Sequence, residues 1–278
     1  MKTNLMSVVG AAVVLAGCTT VKEPAYDTLI AHRGESVDAP ENTLPAYRTA
    51  VERGFGFECD IYLSSDRRLF TFHDRNLKRT TDGANTNLCT AVDWANTVSK
   101  VNVGGWGKWK GSKFDPTRPA LLEEVLALAR PGRRIYVEVK GGDAAVGWME
   151  DIRAAFAKEP KATPGTVLFI CFSAPVCKAL KAAMPGYKVY WLTSAKSVEA
   201  VLERLGECGA DGVDILYRGD VITADFVSRV KAAGYEFHVW TLDDPAVAAE
   251  AFARGVDTVT TNRAKYILEA YENSKKGK

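Results

Sequence analysis

The feature that most constrains the fold is a regular alternation of short apolar runs with amphipathic helical patterns. Eight strand–helix units in about 250 residues predict a TIM (β/α)8 barrel of the α/β class, and a doubly wound open sheet is the alternative. The runs cover residues 28–31, 56–62, 134–139, 166–172, 188–192, 212–216, 236–241 and 256–260. The helical patterns cover roughly 43–53, 120–130, 144–158, 174–184, 196–206, 223–233, 244–254 and 264–273.

One further apolar run breaks this alternation. Residues 69–72 follow the second run after only six residues, too few for the crossover that joins parallel strands. We therefore predict an antiparallel hairpin with its turn at 66–67. With the turn there, Ser65 pairs with Arg68, and Asp60 then lies opposite His73.

A long segment, residues 74–119, separates this hairpin from the second helical pattern. It is rich in Asn, Gly and Thr and contains Trp94, Trp106 and Trp109, three of the six tryptophans. Long insertions in barrels are usually functional loops at the catalytic rim, so we predict a small subdomain over the pocket. Alternatively, the tryptophans form only the segment's own small core.

Two carboxylates interrupt the second apolar run. Glu58 and Asp60 are two residues apart, so they point to the same face of a strand. Two carboxylates on one face of an apolar strand repel each other and are costly to bury. We interpret the pair as half of a metal site. Glu138, at the end of the third run, adds a third carboxylate if the strands form a barrel.

The composition of this carboxylate set indicates which metal it binds. Oxygen ligands without sulfur or clustered imidazole suit Mg²⁺ or Ca²⁺ better than zinc. For Glu138 the alternative is an ion pair with Lys140 or Arg33.

Two of the three histidines, His32 and His73, flank the carboxylate pair at the ends of apolar runs. A histidine has an unperturbed pKa of about 6.5 and exchanges protons near neutrality, so these two are the candidate general acid and base. The third, His238, shares a strand face with Trp240 by alternation. It could enter the pocket, although a structural role is favoured.

Five short motifs follow one another along the chain: HRG at 32–34, ENT at 41–43, E-x-D at 58–60, HD at 73–74 and E-x-K at 138–140. In order and spacing they resemble the glycerophosphodiester phosphodiesterase family, and LKRTTDG at 77–83 resembles it too. The resemblance covers roughly residues 29–263. One departure is Thr261-Asn262, where the family often has Thr-Asp.

The resemblance implies hydrolysis of glycerophosphodiesters to glycerol phosphate and an alcohol, with Glu58, Asp60 and Glu138 as ligands of a divalent cation. It also implies that Arg33 and Lys140 bind the phosphate, since both supply positive charge and arginine can bind two oxygens. For Lys140 the alternative is charge balance for Glu138. We predict that Trp240, at the end of its run, contacts the substrate.

Two other functions remain open at this point. Related two-histidine barrels cleave intact lysolipids or sphingolipids in a phospholipase D-like reaction, and a wide apolar groove would favour that activity. A non-catalytic surface protein that binds glycerophosphoryl groups is the third hypothesis. The net charge of +2 is too small to indicate nucleic-acid binding.

The first residues of the chain are typical of a secretory signal. Lys2 precedes an apolar stretch at 6–16, and the sequence Leu-Ala-Gly-Cys ends at Cys18. This ending resembles the lipobox of bacterial lipoproteins, which implies a lipidated Cys18 and attachment to a membrane of the bacterial cell envelope. An ordinary secreted protein is the alternative. We accordingly divide the chain into signal (1–18), tether (19–27), barrel (28–273) and basic tail (274–278).

The remaining cysteines are odd in number and show no repeated spacing, so we predict buried free thiols, with a Cys171–Cys177 disulfide as the alternative. They are Cys59, Cys89, Cys171, Cys177 and Cys208.

The lipid anchor makes a prediction about location. Nine residues, 19–27, join Cys18 to the first strand, a tether of roughly 30 Å at about 3.3–3.6 Å per residue. We therefore expect the protein to sediment with membranes and Cys18→Ser to release or mislocalise it on cell fractionation. An unchanged membrane fraction for the variant would rule out lipid attachment.

Overall fold

Within the residues that the structure describes, 22–276, nine strands form one sheet in this computed structural model. The strands are β1 (Leu29–Ala31), β2 (Gly56–Leu63), β3 (Leu69–Thr71), β4 (Ile135–Val139), β5 (Val167–Cys171), β6 (Val189–Thr193), β7 (Gly212–Leu216), β8 (Glu236–Trp240) and β9 (Thr258–Thr261). The helices are α1 (Leu44–Glu52), α2 (Leu122–Leu126), α3 (Met149–Ala157), α4 (Ala174–Ala183), α5 (Val198–Cys208), α6 (Ala224–Ala232), α7 (Pro245–Ala253) and α8 (Ala264–Lys276).

Strand β1 closes the barrel. It pairs in parallel with both β2 and β9, and the remaining parallel strands follow in the order β9-β8-β7-β6-β5-β4-β2. Among the strands of residues 22–276, only the antiparallel β3 lies outside this ring. The predicted TIM barrel is confirmed, and the open sheet is excluded because the eight parallel strands leave no free edge.

The apolar side chains form two layers, as the strand period of two requires. Most of them fill the space between the strands and the surrounding helices. A smaller cluster fills the barrel interior and consists of Ile30, Tyr136, Leu168, Ile170, Tyr190 and Leu192. A polar side chain that points into the barrel therefore lies either at one open end of it or against these apolar side chains.

The hairpin of β2 and β3 forms, but the predicted register is wrong by one residue. Asp60 is opposite Phe72, whose backbone N–H donates to the Asp60 carbonyl at 3.0 Å, and His73 lies one residue beyond. The turn contains three residues, 65–67, because Arg67 adopts the left-handed conformation with φ of 60°. Three-residue hairpin loops commonly place a residue in this conformation.

The segment 74–119 contains no strand or α-helix of its own and packs beside the hairpin. Trp94 contacts Phe70 of β3 with ring centroids 6.2 Å apart, whereas Trp109 contacts Phe114 within the segment. No residue of the segment is among those that line the central pocket, although its Asp74 contacts His73 at the pocket rim. Its apolar side chains are buried more favourably against the hairpin than over a polar cavity.

Both ends of the barrel domain differ from the predicted boundaries. Thr28 donates its hydroxyl to the Glu23 carbonyl at 2.7 Å, and Tyr26 packs on Phe55, so the predicted tether 19–27 is too long. At the other end α8 continues through Lys275, which pairs with Glu23 at 2.6 Å, so the predicted tail 274–278 begins too early. A cation in the last turn of a helix is stabilised by the helix dipole.

Cys18 and the rest of the signal lie outside the described residues. The five described cysteines are free and buried, so the alternative Cys171–Cys177 disulfide is absent. None of the helices within residues 22–276 has the length and apolarity needed to cross a bilayer.

The loop after β1 depends on a glycine that tolerates no side chain. Gly34 has φ of 80°, and a Cβ there would lie 2.6 Å from the Ala46 carbonyl carbon of α1. Gly83 also has φ of 80° but has no atom within 4 Å of such a Cβ, so it is a matched control.

We expect Gly83→Ala to cost about 1–2 kcal/mol of unfolding free energy, the penalty of the left-handed conformation alone. Gly34→Ala should cost at least about 3 kcal/mol, because α1 must also move. Urea unfolding followed by tryptophan fluorescence measures both. Equal losses would show that this loop accommodates a methyl group.

Candidate active site

Three carboxylates meet at the C-terminal ends of the barrel strands. Glu58 and Asp60 lie on β2, and Glu138 on the neighbouring β4 is the register partner of Asp60. One oxygen from each lies within 4.8 Å of the others. Glu58 is 2% exposed and Asp60 is 1% exposed, so the strands hold these charges largely out of water.

Burial and mutual repulsion determine how these groups ionise. Burial, followed by the nearby carboxylates, raises the pKa of Glu58 well above its usual value. Burial and then Asp60 raise the pKa of Glu138 to about 8. Burial also opposes ionisation of Asp60, but Lys140 and other nearby cationic groups outweigh it and lower its pKa. Without a cation, only one of the three carboxyl groups ionises readily.

The donor set fits a hard divalent cation. Oε1 of Glu58 is buried without a hydrogen-bond partner among the described residues, so a ligating atom of this group remains available. All the candidate ligand atoms are carboxylate oxygens, the type that Mg²⁺ and Ca²⁺ prefer.

Two basic side chains adjoin the carboxylates. The Lys140 ammonium lies 2.8 Å from Glu138 Oε1 and 3.3 Å from Asp60 Oδ1, so the contact between Lys140 and Glu138 that we considered is present. Arg33 donates its backbone N–H to Glu58 Oε2 at 2.8 Å and its guanidinium Nη1 to Glu41 at 2.8 Å. Both cations therefore lie at the edge of the carboxylate cluster.

Asn42 of the ENT motif orients Asp60. Its Nδ2 donates to Asp60 Oδ2 at 2.7 Å, and its Oδ1 accepts from the Asp60 backbone N–H at 3.1 Å. The Tyr47 hydroxyl donates to the same Oδ1 at 2.8 Å. This buried amide holds the carboxylate in one rotamer.

Hydrogen bonds determine the tautomer of His32. Asp243 accepts from Asn262 Nδ2 at 2.8 Å, and because a carboxylate only accepts, the Asn262 Oδ1 must face His32 Nδ1 at 2.8 Å. Nδ1 therefore carries the proton, and Nε2, 4.0 Å from Glu58 Oε2, has the lone pair. Burial, followed by the charge of Arg33, lowers the pKa of His32 to about 4.

His73 has a different partner. Its Nδ1 lies 2.8 Å from Asp74 Oδ1, and Arg79 binds the same carboxylate through Nε at 2.7 Å. Arg79 also donates to both oxygens of Glu41, which links this pair to the loop after β1. One histidine thus faces a neutral amide and the other a carboxylate.

The pocket that contains these groups has a volume of about 230 Å³ and an apolar side. Trp240 lines it, and its indole N–H donates to the Asp214 carbonyl at 3.2 Å. Phe172, 50% exposed, meets the Trp240 ring edge-on at 5.8 Å. Ile170 and Leu192 complete this side.

Several residues of the site had no role in the sequence-based prediction. Asp214 is a charged residue within an apolar run, and Phe172 and Asn262 directly follow strands, so their positions were available signals. Asp74 belongs to the HD motif but received no role. Asp243 carried no signal, because its contact with Asn262 exists only in the folded chain.

His238 does not enter the pocket. It is 1% exposed, its Nδ1 lies 2.7 Å from Thr258 Oγ1, and its ring stacks on Tyr190 at 4.1 Å. Burial lowers its pKa to about 3. It shares the interior face with Trp240 but lies two residues, about 6–7 Å, closer to the N-terminal end of the barrel.

Comparisons with known proteins agree with this geometry. A sequence model of the glycerophosphoryl diester phosphodiesterase family matches residues 32–265. The chain is 27% identical over 274 residues to the glycerophosphodiester phosphodiesterase of Bacillus subtilis, covering 93% of this chain and 91% of that protein. It is 29% identical over 243 residues to glycerophosphodiester phosphodiesterase 1 of Mus musculus, covering 77% of this chain and 71% of that protein.

The fold is similar to that of a solved phosphodiesterase from Oleispira antarctica in complex with its product sn-glycerol-3-phosphate. The TM-score is 0.78 at 28% identity, covering 88% of this chain and 96% of that chain.

The carboxylate cluster makes a prediction about pH. Because the folded-state pKa of Glu138 is raised to about 8, the folded protein binds a proton that the unfolded chain releases near its ordinary pKa of about 4.3. In the presence of chelator, the bound proton stabilises the folded protein, and this stabilisation is lost as the pH rises towards 8. We expect Glu138→Gln to show a shallower decline in Tm than wild type between pH 6.5 and 8.

Saturating Mg²⁺ or Ca²⁺ should raise the Tm of the wild-type protein at pH 8, because a cation replaces the proton. Thermal unfolding of both proteins across this pH range measures the effect. Parallel pH profiles in chelator, with no cation effect on wild type, would contradict this account of the cluster.

Proposed function

Because the chain belongs to the glycerophosphoryl diester phosphodiesterase family and is an enzyme of that activity, we propose that it hydrolyses its substrates with a divalent cation and two histidines. The products are glycerol phosphate and an alcohol. The observation that carries the mechanism is that His32 and His73 line one pocket with Glu58 and Glu138.

The proposed cation ligands are Glu58, Asp60 and Glu138. A bound Mg²⁺ or Ca²⁺ supplies positive charge that neutralises and orients the phosphate. Arg33 and Lys140 bind phosphate oxygens, and a cation held by the three carboxylates would supply the positive charge that Lys140 now supplies to them.

The partners of the two histidines support a division of roles. His32 presents a lone pair at Nε2, since Asn262 accepts from its Nδ1, and this atom suits a general base that activates water or a substrate hydroxyl. His73 has the Asp74 carboxylate as the acceptor for its Nδ1–H, so its Nε2 is the nitrogen left to face the substrate as general acid. A protonated His73 then donates to the leaving alkoxide.

The size of the pocket supports a small diester over an intact lipid. A volume of about 230 Å³ is below the roughly 300–1,000 Å³ typical of pockets for drug-sized ligands. The apolar side chains that line the pocket are Ile170, Phe172, Leu192 and Trp240. A phospholipase D-like activity on lysolipids or sphingolipids is therefore the weaker candidate, and a non-catalytic binding protein is disfavoured by the family.

The position of the chain's N-terminal part supports the same substrate class. Lys22 lines a crevice with Glu236 and His238 at the N-terminal ends of the strands, opposite the active site. We propose that Cys18, four residues earlier, carries the envelope lipid anchor. With an anchor at that end of the chain, the pocket would face away from the bilayer and towards soluble diesters.

The two histidines make a prediction about leaving groups. Choline leaves as an alkoxide and needs a proton in the transition state, an assistance of about 10²–10⁴-fold, whereas nitrophenolate leaves without it. We expect His73→Ala to lose far more kcat/KM on glycerophosphocholine than on bis(p-nitrophenyl) phosphate. His32→Ala, which lacks the base, should be impaired on both.

Wild type in excess chelator is the control for the cation and should lose turnover on both substrates. If His32→Ala and His73→Ala lower kcat/KM by the same factor on both substrates, the division of roles is contradicted. Full wild-type activity after chelation and dialysis would contradict the metal assignment.

A further inference from the structure

A carboxyl group without a partner lies on the floor of the pocket. Asp214 is on β7 between Val213 and Ile215, which pack in the outer core, so alternation turns Asp214 into the barrel interior. It is 1% exposed. Its Oδ1 is buried and has no hydrogen-bond partner within residues 22–276.

A buried polar atom in this state destabilises the fold, and an apolar side chain of similar shape would avoid that cost. The neighbours on the floor offer no compensation: Leu192 is the register partner on β6, and Ile170 is also apolar. His238, the register partner on β8, bonds to Thr258 through Nδ1, and its Nε2 faces Glu236 at 3.6 Å and not Asp214. The pocket is the side from which a partner can reach Asp214.

The protonation state of Asp214 suits a hydroxyl ligand. Burial raises its pKa to about 8, so the carboxyl group is largely protonated at neutral pH. A protonated carboxyl group donates one hydrogen bond and accepts others, as a hydroxyl does. Unlike a carboxylate, it does not repel a phosphate anion bound in the same pocket.

We propose that Asp214 binds the free hydroxyls of the substrate's glycerol group, an assignment that rests on the proposed phosphodiesterase function. Arg33 and Lys140 hold the phosphate end of the pocket. The buried floor suits glycerol, which all substrates of this class share, whereas Phe172 is half exposed at the mouth and suits the variable alcohol.

The test compares substrates with and without glycerol. We would measure kcat/KM of wild type, Asp214→Asn and Asp214→Leu on glycerophosphocholine, glycerophosphoglycerol and bis(p-nitrophenyl) phosphate. For Asp214→Leu, kcat/KM on each glycerol substrate should fall by about 10–100-fold relative to the nitrophenyl substrate, mainly through KM. Asp214→Asn keeps a donor and an acceptor and should retain most of this preference.

Two results would overturn the assignment. An unchanged ratio between glycerol and nitrophenyl substrates for Asp214→Leu would show that the carboxyl group does not bind glycerol. A loss confined to glycerophosphocholine would show that it binds the choline cation instead.

Thermal unfolding separates binding from folding. Asp214→Leu should have a Tm no lower than wild type, because it removes an unpartnered polar group from an apolar floor. A lower Tm with equal losses on all three substrates would assign Asp214 a purely structural role and overturn the proposal. Leu192→Val changes the same floor without removing a polar group. It should therefore lower kcat/KM by the same factor on all three substrates.

The same assays separate this assignment from the proposed function. Wild type that turns over neither glycerol substrate contradicts the proposed function itself. Wild type that turns over both, while Asp214→Leu keeps the wild-type ratio, contradicts only the role of Asp214.

Discussion

The confinement of three carboxylates at one end of a closed barrel is the constraint on which the rest of the site depends. Pairing of β2 with β4 brings Asp60 and Glu138 side by side, and two buried carboxyl groups at this separation do not both ionise without positive charge. The chain supplies that charge through Lys140 and fixes one rotamer through Asn42. We therefore expect the cluster to hold a proton in the absence of the proposed cation, so that the same three residues affect both stability and the proposed catalysis.

The residues around the histidines differentiate two otherwise similar side chains. His32 bonds to an amide whose orientation is determined by a carboxylate further out, whereas His73 bonds directly to a carboxylate. The segment 74–119 contributes to this second arrangement through Arg79, which clamps Asp74. The segment thus contacts one histidine from the side, and none of its residues is among those that line the pocket.

Much of this architecture could be predicted from the sequence, because the relevant signals are local. Strand and helix periods predicted the barrel, and the rule that parallel strands end at one rim brought together residues as distant as His32 and Glu138. The departure at Asn262 was visible too, although its consequence was not: it faces His32 across 230 residues of chain. Asp214 interrupted an apolar run, but only the folded barrel shows that it lies on the pocket floor.

By itself, the sequence determined which faces of the strands point inward and which residues end at the catalytic rim. The tertiary structure decided how deep each side chain lies in the barrel, how the hairpin strands align and which groups form hydrogen bonds. Alternation placed His238 on the correct face, yet the barrel holds it a layer below the pocket, and a left-handed Arg67 shifted the hairpin by one residue. The reason is that a period of two is a property of neighbouring residues, whereas depth and hydrogen-bond partners depend on how distant strands align when the barrel closes.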